Sequence, residues 1–96
     1  MKVSFTPEAD QQADECDTWW REHRDERELF AHELASTIAL LAAEPSLGTV
    51  YRVLDGQVVR RVLMPKTHRH VYFTSDASVV LVHAVWGAPR GHEPKL

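Results

Sequence analysis

The hydrophobic period of this chain changes once, at Gly48, and the sign of its charge changes at the same place. Before Gly48 the apolar residues recur at helical spacing; after it they alternate, as in strands. Residues 1–48 carry four basic and eleven acidic side chains, a balance of −7, and residues 49–96 carry seven basic and three acidic ones, a balance of +4. A chain of 96 residues makes one domain and buries about 60–70% of the surface of its unfolded form, enough for one modest core. An acidic helical half must therefore pack on a strand half that bears Arg60, Arg61, Lys66, Arg69 and Arg90. Such a sheet invites an acidic partner, either nucleic acid or protein.

The individual elements follow from the pattern. Lys2-Val3-Ser4-Phe5 alternates and predicts a short first strand. Thr6-Pro7-Glu8 supplies a capping hydroxyl, a proline at the first helical position and an acid in the first turn. Ala9, Ala13, Cys16 and Trp20 then form one stripe of a helix that ends near His23-Arg24. Asp25 with Glu28 resembles a capping box and predicts the start of a second helix. Its buried stripe is Phe30, Leu34, Ile38 and Leu41, thickened by Ala35 and Ala42, and Pro45 with Gly48 ends it. So short a link predicts an antiparallel helical hairpin.

Beyond Gly48, Thr49–Leu54 and Val58–Met64 flank Asp55-Gly56, a tight-turn signal. Pro65-Lys66-Thr67 breaks the chain. His68–Ser75 and Ser78–Trp86 predict a second hairpin turning at Asp76-Ala77. Residues 87–96 read as a polar tail. The expected fold is α+β, in the order β-α-α-β-β-β-β, with the N-terminal helical hairpin packed on a mainly antiparallel sheet.

Composition excludes some classes. The chain is 44% hydrophobic and 26% charged, ordinary for a soluble globular protein. Cys16 is the single cysteine, so no intrachain disulfide forms, and its place in an apolar stripe predicts a packing role. The N-terminus lacks the apolar run of a signal peptide, and no stretch approaches the ~20 apolar residues that span a bilayer. The expectation is a cytoplasmic, soluble protein.

Phe5-Thr6-Pro7-Glu8-Ala9, Trp19-Trp20, Phe30-x-x-Glu33-Leu34, Pro45-x-x-Gly48, Val59-Arg60-Arg61, Leu63-x-Pro65-Lys66-Thr67, Tyr72-Phe73 and Ala84-Val85-Trp86 occur in that order. Together they resemble the toxins of bacterial type II toxin–antitoxin systems, the RelE/ParE superfamily, over residues 2–96. The resemblance implies two alternative activities. RelE-like members are ribosome-dependent mRNA endonucleases, whereas ParE-like members inhibit DNA gyrase by protein–protein contact. Both imply neutralisation by a cognate antitoxin whose segment wraps the toxin, and neither implies a cofactor.

Metal-independent RNA cleavage needs a group to take the 2′-hydroxyl proton, a cation to stabilise the phosphorane and a proton donor for the leaving oxygen. Against the RelE pattern, Arg60, Arg69 and Arg90 stand near basic positions. Val62, however, occupies the place of a second lysine, and no tyrosine follows Tyr72. That departure favours the ParE-like reading. Histidine could substitute: a turn at Asp76-Ala77 sets His70 opposite His83, with His68 diagonal to it, an acid/base pair of near-neutral pKa. The competing reading is a set of half-exposed sheet histidines. The same three imidazoles are the best candidate zinc ligands, but no carboxylate or second cysteine joins them, so no metal is expected.

His92 in the tail is a weaker nuclease candidate than Arg60, Arg69, His70, His83 or Arg90. Of Trp19 and Trp20, adjacent on a helix, one is expected in the core and the other either to cover the sheet or to meet a partner. Trp86 reads as core, yet joins Arg60, Arg69 and Arg90 as a partner-binding candidate. Glu8, Asp10, Asp14, Glu15 and Asp17 form an acidic helix face that would not lie on nucleic acid. Arg60 and Arg61, consecutive in a strand, must point to opposite faces.

Overall fold

A computed structural model describes residues 1–87, 94 and 96. Strand β1 (Lys2–Phe5) is followed by helices α1 (Pro7–His23) and α2 (Leu29–Ala43), then by strands β2 (Thr49–Leu54), β3 (Gln57–Met64), β4 (Arg69–Ser75) and β5 (Val79–Gly87). The expected order and the α+β class hold. One sheet contains all five strands in the order β1-β5-β4-β3-β2. Only β1 runs parallel to its neighbour, β5, and the other pairings are antiparallel.

Helix α1 begins as its sequence dictates: Thr6 Oγ1 accepts from the Ala9 amide at 3.1 Å, and Pro7 takes the first helical position. Its stripe faces inward, with Ala9, Ala13 and Trp20 buried and Cys16 partly buried against them. The start of α2 differs from the expected capping box. Glu28 holds the capping position with no side-chain hydrogen bond, and residues 24–28 form a link instead. Trp20 fixes that link by donating from Nε1 to the Glu26 carbonyl at 2.8 Å. Phe30 and Leu41 are buried as expected, while Ala35 is exposed and the buried polar position is Thr37.

Both helices lie on one face of the sheet, which we term inner. Phe30, Leu41, Met64, Val71, Phe73, Val80, Val82 and Val85 form the core there with the α1 stripe. The opposite, outer face holds a smaller cluster of Val59, Tyr72 and Ala84, edged by Tyr51, Leu54 and Trp86. Helices pack ~10 Å apart and strands ~4.8 Å apart, so two helices cover about four strands. The strand left at the margin is β2.

Two features set the register. Asp55 (φ 49°) and Gly56 (φ 78°) both lie in the left-handed region, the conformation of a two-residue hairpin turn. The second hairpin turns one residue later than expected. Asp76 Oδ1 accepts from the amides of Ser78 (2.7 Å) and Val79 (2.9 Å), and the Asp76 amide donates to the Val79 carbonyl at 3.0 Å. The turn therefore centres on Ala77-Ser78. A bulge between Tyr72 and Phe73 on the β4 side leaves His83 as an extra residue and slips the ladder once more. His70 consequently faces Trp86, not His83.

Gly48 (φ +83°) joins α2 to β2 where a Cβ would collide with the Arg61 carbonyl oxygen, whereas the same atom on Gly56 (φ +78°) meets open space. Both replacements carry the left-handed penalty of about 1 kcal/mol; only the first adds a backbone clash. In urea denaturation, Gly48→Ala is expected to cost at least about 2 kcal/mol and Gly56→Ala about 1 kcal/mol.

Candidate functional site

Four of the exposed large apolar residues, Val50, Val53, Val58 and Leu63, lie on the β2–β3 hairpin. Val59 belongs to the outer cluster, so alternation puts Val58 and Arg60 on the inner face. Directly paired residues share a face, and Val53 pairs with Val58 and Val50 with Arg60. Val50, Val53 and Val58 are 55%, 61% and 46% exposed. They form an apolar shelf at the margin of the helical layer. A bulge at Tyr51 produces it: the register shifts between Val50 and Arg52, so Tyr51 and Leu54 join the outer cluster while both valines turn inward.

Arg60 stands at the inner end of this shelf. Its Nη1 donates to the carbonyls of Ser46 (3.2 Å) and Gly48 (3.5 Å). Neutral carbonyls hold the guanidinium in place without cancelling its charge. Arg61, on the outer face as strand geometry requires, lies 5.1 Å from the centre of the Tyr51 ring. The consecutive arginines thus serve opposite surfaces.

Arg69 occupies a different place. Four residues separate Phe73, the partner of Arg60, from Arg69 along β4, a span of about 13 Å. Its Nη1 donates to the Thr67 carbonyl at 3.0 Å. It lines a cavity of about 450 Å³ with Gln12, Cys16, Trp19, Trp86 and Gly87. The cavity opens where β1 stops pairing with β5 at Val82, and Gln12 Oε1 reaches from α1 to accept the Val85 amide at 2.9 Å. No described cavity contains both Arg60 and Arg69. Among these cavities the two arginines are not brought together. Arg90 and His92 lie outside the described residues.

The turn before Arg69 is clasped by Glu33 of α2. Its carboxylate accepts from the amides of Lys66 (2.8 Å) and Thr67 (2.9 Å) and from Thr67 Oγ1 (2.7 Å). His68 follows at φ 57° and is exposed. The motifs Phe30-x-x-Glu33-Leu34 and Pro65-Lys66-Thr67 thus meet in space.

The histidines do not converge. His70 is on the outer face, 5.9 Å from the Tyr72 ring, and His83 Nε2 hydrogen-bonds Thr74 Oγ1 at 2.9 Å. Burial, and then the charge of Arg61, lower the pKa of His70; burial lowers that of His83. Among the described residues no group of three His, Cys, Asp or Glu side chains is placed to hold a metal. Trp20 is the core tryptophan, while Trp19 is 37% exposed and stacks on His23 at 4.7 Å. Trp86 is partly buried against the outer cluster. Among the described residues, no helix is long and apolar enough to cross a membrane.

Sequence reading missed the valine shelf. The available signal was a strand, Val50-Tyr51-Arg52-Val53-Leu54, whose apolar residues fall on both faces, unlike a margin strand with one solvated face.

No protein-family model matches the chain, and no curated protein matches it in sequence.

The lowered histidine pKa values fix a pH dependence. A folded-state pKa below the unfolded value near 6.5 means that unfolding takes up protons, so stability is retained above pH 6.5 and lost as pH falls through the folded values. The urea midpoint is expected to fall between pH 7.5 and pH 5. The double variant His70→Gln/His83→Gln should flatten that decline; an unchanged pH profile in the variant would assign it to other groups.

Proposed function

We propose that this chain is the toxin of a type II toxin–antitoxin system, acting in the cytoplasm by protein–protein contact with DNA gyrase and held inactive by a cognate antitoxin. The ordered residues Phe5 to Trp86 support the superfamily reading, and the β-α-α-β-β-β-β order agrees with it. The observation that carries contact rather than cleavage is the apolar shelf of Val50, Val53 and Val58 beside Arg60. Solvated valines around a cation anchored by carbonyls suit a protein segment that is apolar on one side and carries a carboxylate. The nuclease alternative would require an acid/base pair, and its best candidates, His70 and His83, stand apart.

Docking of the antitoxin on this shelf would cover the surface that the toxin needs for its target. Neutralisation is then steric, and it needs no change in the fold.

Two measurements test the proposal. Induction of the chain alone should produce DNA breaks within minutes while translation continues. Early collapse of translation with cut transcripts would instead establish the mRNA endonuclease. In the same assay, Val53→Asp combined with Arg60→Glu should abolish growth arrest and weaken affinity for the cognate antitoxin at least about 100-fold, the loss expected for a central interface pair. Full toxicity and unchanged affinity in a folded double variant would remove the shelf from the mechanism.

A further inference from the structure

We infer that the groove between α1 and α2 is a second docking site, on the acidic half of the molecule, for a cationic amphipathic helix of a partner protein. This inference is independent of the toxin reading, because it uses neither the hairpin nor any arginine of the sheet.

The groove holds about 470 Å³ and its two walls differ. Asp10, Asp14 and Asp17 line the α1 side. Leu34, Ala35 and Ile38 line the α2 side, and Phe5 of β1 also contributes to the lining. Phe5, Leu34 and Ile38 are only partly buried, so solvent reaches an apolar surface that the core does not close. Seven residues from Asp10 to Asp17 rise about 10 Å, roughly two helical turns.

Three arguments select the occupant. The first is charge. Glu8, Asp10, Asp14, Glu15, Asp17 and Glu22 all lie in α1, whose basic residues are Arg21 and His23 in the last turn. The ion pair formed there is Arg21 with Asp17, at 3.0 Å, and among the described residues no cation lies within ion-pair distance of the Asp10 and Asp14 side chains. The second is an orphaned atom. Asp17 Oδ2 accepts from Arg21, but Oδ1 is buried with no hydrogen-bond partner among the described residues, a costly state for a carboxylate oxygen. The Asp17 side chain is 31% exposed, so a lysine or arginine of the occupant would lie beside this carboxylate and offset its charge without reaching Oδ1. The third is shape. Ala13, Ala31 and Ala35 line the groove, and such small side chains let a third helix approach closely. Apart from Phe5 the lining comes from two helices, and a helical occupant satisfies its own backbone hydrogen bonds.

The partner helix therefore carries Leu-like residues toward Leu34 and Ile38 and Lys or Arg toward Asp10, Asp14 and Asp17. The acidic face of α1 is then a recognition wall, and the two halves of the chain present docking surfaces of opposite sign.

The test uses the full chain and two synthetic 18-residue amphipathic helices, one of Leu and Lys and one of Leu and Glu, with binding followed by fluorescence anisotropy. The Leu/Lys helix should bind in the micromolar range and the Leu/Glu helix at least tenfold more weakly. Asp10→Asn with Asp14→Asn should weaken Leu/Lys binding about fivefold to tenfold, as for two partly screened charge pairs. Ala35→Trp, at an exposed position, should fill the groove and abolish binding, and circular dichroism checks that each variant is folded. Amide shifts on titration should cluster at Asp14, Asp17, Ala31 and Ala35. Equal binding of both peptides, no binding of either, or retained binding by folded Ala35→Trp would overturn the inference. So would a dimer of the free chain that Ala35→Trp dissolves, since the occupant would then be a second copy. Gyrase and translation readouts stay outside this assay, so its failure leaves the toxin reading standing.

Discussion

The carboxylate of Glu33 ties the helical layer to the sheet, and the exposed surfaces follow from where it does so. Three donors from one turn, the Lys66 and Thr67 amides and the Thr67 hydroxyl, converge on it. Hydrogen bonds to a charged acceptor contribute about 1.5–3 kcal/mol each, so even a discounted sum is large for a domain of this size. At the far end of α2, the connection to β2 passes against the Arg61 carbonyl at Gly48 and accepts hydrogen bonds from Arg60. Fixed at both ends, α2 cannot slide toward the sheet margin to cover β2. The valines on that margin stay in water, and Arg69, two residues beyond the clasped Thr67, is held beside α1 instead of beside Arg60.

The separation of the two arginines changes how the basic half of the chain is understood. A cationic sheet suggests one continuous acidic ligand spread across it. The structure divides the cations instead: Arg60 by the inner shelf, Arg61 by Tyr51 on the outer face, and Arg69 in the cavity under α1. Each is held by carbonyls or an aromatic ring, and Arg60 lies beside exposed apolar residues. That combination is closer to a protein-binding surface, with an apolar patch around a placed charge, than to a track for a phosphate backbone. The acidic half extends the same logic with the sign reversed. Its carboxylates flank an apolar groove, and one buried carboxylate oxygen has no donor among the described residues.

Much of the fold was legible because local signals agreed. Thr6-Pro7 gave the start of α1, Asp55-Gly56 gave the first hairpin, and the change of period at Gly48 divided helices from strands at the right residue. Errors arose where a side chain outcompeted the pattern. Asp25 and Glu28 match a capping box, but Trp20 seizes the Glu26 carbonyl and makes the segment a link. Asp76-Ala77 looks like a turn, yet the Asp76 carboxylate gathers the next two amides and moves the turn by one residue. That small shift, with the bulge at His83, dissolved a histidine pair that spacing alone suggested. The Glu33 clasp and the valine shelf join residues more than thirty positions apart, or depend on a bulge. Neither leaves a periodic trace, although the residues of the clasp were already in view as two separate motifs.

The account depends on the inner face of β2 being open to solvent, and a pair of charge insertions tests this without knowledge of any partner. Val53 is solvated and Val59 is 3% exposed on the neighbouring strand. In urea denaturation, Val53→Asp should cost less than about 1 kcal/mol, as at an ordinary surface position, and Val59→Asp at least about 3 kcal/mol, as for a charge forced into a core. Comparable, large losses in both variants would show that the shelf is covered, and the docking surface proposed for it would not exist.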